Sequence, residues 1–334
     1  MRRPDFWRSG NGLGPTLLHP LSLIWQVGSA TKAAFTQPYQ ADIPVICVGN
    51  LGIGGAGKTP VALAVAHQLK QQGITCHFLT RGYGGRLSGP LKVDVANHTA
   101  RDVGDEALLL AAIAPTWIGA DRGHSAQAAA RDGAQALIMD DGHQNRTLAK
   151  NLSLIVVDRS YGFGNGRVLP AGPLREPILQ GLGRADAAIV LDGSGGADRQ
   201  SDAVDDLRKI GLPVLDAHLE ASPKKPFAPG ARVVAFAGIG HPEKFFTMLE
   251  SLGCDIVTRH VFGDHHMFSS DEIMRIVEEA ASLGARPITT AKDAVRLPAE
   301  ARPMIDVLPV EARFADPDVL TDLLAALFTK SREN

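Results

Sequence analysis

The chain is poor in the features that mark several large protein classes. Its three cysteines, Cys47, Cys76 and Cys254, are too widely spaced to form a metal-ligand pair or a disulfide framework; as buried thiols they suit a reducing cytoplasm. Positive charge is not in excess. The 34 Lys and Arg against 36 Asp and Glu give a net charge of -2, so no whole-protein field draws nucleic acid, and none is expected as a partner. An undiluted apolar run is missing too. Thr16 to Phe35 approaches the roughly 20 residues of a membrane-spanning helix, but His19, Gln26 and Lys32 interrupt it. Gly28-Ser29-Ala30 is a weak match to a leader-cleavage site. The Asn-Lys-x-Asp loop of guanine-nucleotide proteins is absent, since Thr290-Ala291-Lys292-Asp293 lacks the asparagine.

What is present is a globular α/β chain. At 334 residues it exceeds the size at which one core usually stops growing, and its 45% hydrophobic composition argues against disorder. Short apolar strands alternate with helices: Pro44 to Val48, Thr75 to Leu79, Thr116 to Gly119, Ala136 to Met139, Leu152 to Val157 and Ala187 to Leu191. That order predicts a parallel sheet. Gly193 to Asp206 is small, polar and acidic and is expected as an exposed insertion; Ser222 to Gly230, with three prolines, is the best linker. The alternation restarts with strands at 233–237, 254–257, 288–290 and 305–310, and a final helix over 312–328. The expected organisation is an N-terminal segment (1–36), a P-loop domain (37–221), a linker (222–230) and a smaller C-terminal α/β domain (231–334). In the first segment Arg2, Arg3 and Arg8 lead a helix on which Leu17, Leu18, Leu21, Ile24 and Trp25 share much of one side. Such a helix fits the membrane interface, with its arginines near anionic headgroups.

Gly52-Ile53-Gly54-Gly55-Ala56-Gly57-Lys58-Thr59 matches the Walker A pattern in full, with a strand before it and a helix after. Glycines let backbone amides turn toward phosphate oxygens, Lys58 can reach the terminal phosphates, and the Thr59 hydroxyl can ligate Mg²⁺. This predicts a nucleoside triphosphate as the ligand. Asp140 and Asp141 end a strand, the position of acids that serve a metal beside such a loop. Asp158 also ends a strand and is as well explained as a loop cap. Asp105-Glu106 opens a helix, where either acid could receive a proton or simply cap local amides. In Gly263-Asp264-His265-His266 a histidine can orient a carboxylate base; zinc is weaker, because further ligands at diagnostic spacing are absent. Gly162 to Pro177, rich in Gly and Pro, reads as a substrate-side loop.

With these residues in view, the sequence closely resembles the tetraacyldisaccharide 4'-kinase family. The matching pieces include Gly49-Asn50-Leu51, Thr80-Arg81-Gly82-Tyr83-Gly84-Gly85, Val103-Gly104-Asp105-Glu106 and Asp140-Asp141-Gly142-His143-Gln144. They continue through the run Gly166 to Pro177, Gly238-Ile239-Gly240-His241-Pro242, Asp264-His265 and Thr289-Thr290-Ala291-Lys292-Asp293, covering nearly the whole chain. The resemblance implies two α/β/α sandwich lobes, the first of P-loop NTPase type, with the active site between them and an N-terminal membrane-associating helix. It implies ATP-dependent phosphorylation of an acylated glucosamine disaccharide 1-phosphate at its 4'-hydroxyl, giving lipid IVA, at the cytoplasmic face of a Gram-negative inner membrane. No obligate protein partner is expected. By the same resemblance Asp105 is the catalytic acid-base residue, assisted by His265 and by Lys58 of the loop. Glu106, Asp140 and Asp141 join Thr59 around Mg²⁺. Arg81, Tyr83, Arg122 and Arg175 are the candidates for holding the substrate. Two departures stand out: His143 replaces a common Phe, and Ala291 replaces a common Glu. The competing expectation is a nucleotide-dependent switch protein that hydrolyses ATP or GTP to drive a membrane partner.

Overall fold

The computed structural model describes residues 4–10, 12–192, 203–222 and 227–330. Arg2 and Arg3, most of the expected insertion and the centre of the expected linker lie outside the described residues.

Thirteen strands form two sheets among the described residues. The strands are β1 (Val45–Gly49), β2 (Cys76–Thr80), β3 (Leu91–Lys92), β4 (Thr116–Ile118), β5 (Ala136–Asp140), β6 (Leu152–Asp158) and β7 (Ala187–Asp192). They continue with β8 (Val214–Ala221), β9 (Arg232–Ala237), β10 (Asp255–Val261), β11 (Arg286–Thr290), β12 (Asp306–Leu308) and β13 (Val310–Phe314). The larger sheet has the order β13-β8-β7-β6-β1-β5-β2-β4-β3, and the smaller β10-β9-β11-β12. Only the edge pairs β13–β8 and β3–β4 are antiparallel. The smaller sheet is parallel throughout.

Central strands are buried on both faces, as parallel strands covered by helices must be: all of β1, β2 and β5 is inaccessible. One face of the larger sheet is covered by Val61, Val65 and Leu69 of the helix Lys58–Gln71. The other packs against Ala126 and Ala129 of the helix Arg122–Arg131, and further along against Leu182 and Leu207. The smaller sheet is likewise sandwiched, by Phe245, Phe246 and Leu249 on one side and Ile273 and Ile276 on the other. The helix carrying those isoleucines, Ser270–Ser282, starts at a capping box in which Ser269 and Glu272 satisfy each other's backbone amides.

The C-terminal boundary needs correction. The chain leaves the smaller sheet at Leu308 and returns to the larger one, where β13 pairs with β8 from Val310↔Ala221 to Phe314↔Ala217. The following helix, Pro317–Lys330, drops Leu320 and Leu324 into the same core as the helix Lys58–Gln71. Residues 312–314 are therefore strand, not the start of the final helix. Strand β8 would otherwise be an unpaired edge flanked by the apolar Leu215, Ala217 and Leu219; the alternating Ala312 and Phe314 cover it.

The N-terminal helix, Gly14–Ala34, is turned inside out relative to a soluble one. Its polar Ser22 is buried against the 163–175 loop, donating to the Val168 carbonyl at 2.8 Å and accepting from the Ala171 amide at 3.2 Å. Half-buried Leu18 and Gln26 share that inward side, so Leu18 does not join the outward set. Leu17, Leu21, Leu23, Ile24 and Val27 face solvent, from 51% to 73% exposed. No described helix is long and apolar enough to cross a membrane.

Candidate active site

The register Val48↔Asp140 sets the end of β5 beside the end of β1, and Gly49↔Ile155 carries β6 on past it to Asp158. The glycine loop therefore leaves β1 at the carboxyl edge of the sheet, the crevice where open α/β sheets bind ligands. Gly57 caps the helix Lys58–Gln71 with φ +84°, and a Cβ there would lie 2.2 Å from Leu191 Cδ2, so the turn requires glycine. The loop lines a crevice shared with Asp158, Tyr161, Phe163 and His241. Lys58 curls over its own loop, with Nζ 3.4 Å from the Gly54 carbonyl and 3.7 Å from Asp141 Oδ1.

Asp140 and Asp141 have different surroundings. The Thr59 hydroxyl donates to Asp140 Oδ2 at 2.9 Å, while Oδ1 is buried without a partner. Burial first, then the nearby Glu106 charge, pushes Asp140 up to about 7, against the pull of Lys58. Asp141, at φ +54°, gives both oxygens to Arg175, Nη1 and Nη2 each at 2.9 Å. Burial works to raise Asp141, but Lys58 and Arg175 outweigh it and hold the group below the usual carboxylate range. Arg175 is thus tied into the acidic cluster, and Gln144 also accepts from it at 3.1 Å.

A buried carboxylate with one unpartnered oxygen, beside a threonine hydroxyl, fits a divalent cation. Among the described residues no three His, Cys, Asp or Glu side chains converge as a ready-made cage. Mg²⁺ usually takes one or two carboxylates and completes its shell with phosphate and water. Asp140 and Thr59, joined by that hydrogen bond, are the residues that would hold it. Metal binding needs the carboxylate form, so a nucleotide–Mg²⁺ complex binding near pH 6 should release about one proton, falling as pH rises through about 7 to little by about pH 8. Calorimetry in buffers of different ionisation enthalpy measures this release, and Asp140→Asn should abolish it.

Across the crevice, Gly104 (φ +86°) lets the chain pass so close to Tyr83 that a Cβ would sit 2.3 Å from its carbonyl oxygen. This turn sets Asp105 at the first position of the helix Asp105–Ala111. Asp105 is buried, and Oδ1 accepts from the Glu106 amide at 2.9 Å. His265 from the smaller lobe donates through Nδ1 to Asp105 Oδ2 at 2.8 Å. Burial tends to raise Asp105; the His265 hydrogen bond, with Lys292 and Arg296 behind it, prevails and lowers it. Residues 160 positions apart thus meet in one contact. His265 has φ +61°, a conformation uncommon for a residue with a side chain and concentrated at functional sites.

The substrate candidates separate. Tyr83 is 68% exposed, with its ring edge-on to His265 at 6.0 Å between centroids. Arg81 is exposed and Arg122 buried. Burial, then the neighbouring Arg81, pushes Arg122 down to about 10. Arg122 donates to the Gly119 carbonyl through Nη1, while Nε is buried without a partner. His143 is structural: it is buried and donates from Nε2 to the Gly181 carbonyl at 2.9 Å. His266 turns away to Glu272 at 3.1 Å, which removes it from a shared metal site with His265. Asp158 caps the Ser160 amide at 2.9 Å and also accepts from Lys244 of the smaller lobe at 2.6 Å. Sequence reasoning gave no role to Lys244, Lys292 and Arg296, whose charges reach across to Asp158, to Asp105 and Glu106, and to Asp105 in the larger lobe.

A glycine loop and strand-end acids in one lobe, facing a histidine-supported carboxylate between lobes, define an α/β phosphotransferase. The model of the family described as LpxK, tetraacyldisaccharide-1-P 4'-kinase, matches residues 15–329, and the chain belongs to that family. A tetraacyldisaccharide 4'-kinase of Rhodospirillum centenum is 51% identical over 334 residues, covering 98% of this chain and 97% of its own. That of Rhodospirillum rubrum is 50% identical, covering 95% of each. The crystal structure of LpxK from Aquifex aeolicus in complex with ATP is 25% identical, with a TM-score of 0.73 over 94% of this chain and 99% of its own.

Proposed function

We infer that this protein transfers the γ-phosphate of ATP to the 4'-hydroxyl of tetraacyldisaccharide 1-phosphate, giving lipid IVA. Family membership names the reaction; the Asp105–His265 contact, beside an acidic cluster and a glycine loop, is the observation that carries it to these residues. Asp105 is the proton acceptor for the sugar hydroxyl and His265 its orienting partner. Lys58 and the loop amides hold the phosphates, and Mg²⁺, when bound, draws charge from the transferring group. Glu106 completes the acidic side of the site. Asp141 acts chiefly by holding Arg175, and Arg81 with Arg122 forms a cationic pair suited to an anionic substrate. Lipid-dependent transfer of label from ATP, with mass analysis of the product, tests the reading. Hydrolysis to water that ignores the lipid and responds to a protein partner would instead favour the switch reading.

The N-terminal helix supplies the membrane contact, because exposed aliphatic side chains over several turns have no protein partner. It rests on the 163–175 loop, with Trp25 donating to the Arg175 carbonyl at 3.0 Å, so the lipid surface and Arg175 are neighbours. Deleting the helix would disturb that loop, whereas outward positions can be changed without touching it. Burying one large aliphatic side chain contributes about 1.5–3 kcal/mol. Leu17→Glu with Ile24→Glu should therefore lower vesicle flotation at least about 10-fold and leave ATP binding unchanged. Equal flotation would put the membrane contact elsewhere.

A further inference from the structure

The segment Thr290 to Arg296 places two cations near Asp105, and it also grips His265 at two points. Asp293 Oδ1 accepts from the Gly238 amide at 2.9 Å, and the buried Arg296 donates to the Gly238 carbonyl at 2.9 Å and to Asp293 at 2.6 Å. The same Gly238 carbonyl accepts from the His265 amide at 3.1 Å. The backbone of His265, held in its left-handed conformation, is thus pinned through Gly238. The side chain is met by Lys292 of the short helix Ala291–Ala294. Lys292 Nζ lies 3.5 Å from His265 Nε2, 3.5 Å from Glu106 Oε1 and 4.0 Å from Asp105 Oδ2.

An ammonium has donors and no acceptor, so the ring nitrogen facing it presents a lone pair. The imidazole proton then resides on Nδ1, where it points at Asp105. The opposite tautomer would turn an N–H toward the ammonium and a lone pair toward the carboxylate. Asp264 pulls the other way, since its Oδ1 lies 3.9 Å from Nε2 and would favour a proton there. Arg296 Nε, 3.7 Å from Asp105 Oδ2, supports the carboxylate without touching the imidazole, and Tyr83 meets only its edge. Asp105 Oδ2 only accepts, so its 2.8 Å contact already favours the proton on Nδ1; Lys292 is the group that opposes Asp264 at Nε2 and so keeps the proton there.

We propose that Lys292 is a positioning residue for phosphoryl transfer: its ammonium holds His265 as the Nδ1–H tautomer that fixes the Asp105 carboxylate toward the acceptor hydroxyl. The proposal rests on the Asp105–His265 reading of the site, and its test is separable from it. Long-range proton–nitrogen spectra of the full-length ¹⁵N-labelled protein report which imidazole nitrogen carries hydrogen, with His265 assigned by its loss in His265→Gln. The wild type should show Nδ1 protonated. Lys292→Met should move His265 toward the Nε2–H form and lower kcat about 10-fold, a fraction of what a general base contributes, with KM for ATP within about twofold. Lys292→Arg, which keeps the donor and the charge, should retain the wild-type tautomer and recover most of the rate. An unchanged His265 tautomer in a folded Lys292→Met protein overturns the proposal, whatever its rate. A His265→Gln protein with full activity would instead remove the Asp105–His265 reading, while the Lys292→Met spectra still decide what Lys292 does to the ring.

Discussion

Lys58→Ala should slow phosphoryl transfer by roughly 100-fold or more, the scale of removing one preorganised charge from a transition state. The ammonium is nearly enclosed, with a side chain 10% exposed, and already sits among the groups that would surround the phosphates. Its loss acts twice. Charge building on the transferring group goes uncompensated, and Asp140, which Lys58 helps to keep low, is pushed further toward its protonated form. The second effect weakens Mg²⁺ binding near neutral pH, so raising the pH should recover part of the binding defect and none of the transition-state defect. Single-turnover rates with saturating lipid, at two pH values and two Mg²⁺ concentrations, separate these contributions. Thermal unfolding of the variant checks that it is folded. Near-normal transfer by the folded variant would take Lys58 out of the site.

Why the loop was readable and the dyad only partly so is a matter of sequence distance. Gly52 to Thr59 must place backbone amides within a few ångströms of one another, so its chemistry is written in adjacent residues. Asp140-Asp141 is readable for the same reason, as two acids ending an apolar strand. Asp105 and His265 are joined by folding of two lobes, and no local spacing encodes that contact. Taken singly, each has an ordinary explanation as helix start or loop histidine; only the resemblance linked them. Arg175 shows the converse limit. Its place in a Gly- and Pro-rich loop marked it as a functional residue, but nothing in the loop reveals that Asp141 takes its guanidinium with both oxygens. Strand β13 escaped notice because Val310 to Phe314 is short and adjoins a helical pattern, and its partner β8 precedes it by about ninety residues. The N-terminal helix could be placed by composition, yet its facing could not. Leu18 looked equivalent to Leu17 until Ser22 fixed which side meets the protein.

Asp105→Asn should reduce turnover by about 10²–10⁴-fold, the range attributed to a positioned general base, while ATP affinity stays near wild type. The substitution keeps the shape and can still accept from the Glu106 amide, so the helix start survives. Buried Arg296 retains Asp293 as a counter-charge, so no cation is stranded by the change. What is lost is a proton acceptor. In the resting site that acceptor is a weak base, since the His265 hydrogen bond and the adjacent cations overcome burial and keep Asp105 below the usual carboxylate range. A weak base cannot take a proton from a sugar alcohol early. Transfer must come late, after the bond to phosphorus has begun to form and the hydroxyl has become acidic. Replacing His265 by Ala removes the hydrogen bond that orients the carboxylate, so it should also lower kcat severely, with little change in ATP binding. Because the two side chains act through one contact, the losses should not add: the double variant should be little slower than Asp105→Asn alone. The measurement is a double-mutant cycle on lipid-dependent kcat, with ATP affinity followed in each variant. Additive losses would mean that the 2.8 Å contact does not couple the pair during turnover. Loss of ATP binding in Asp105→Asn would assign the carboxylate to the metal and its phosphates instead of to the alcohol.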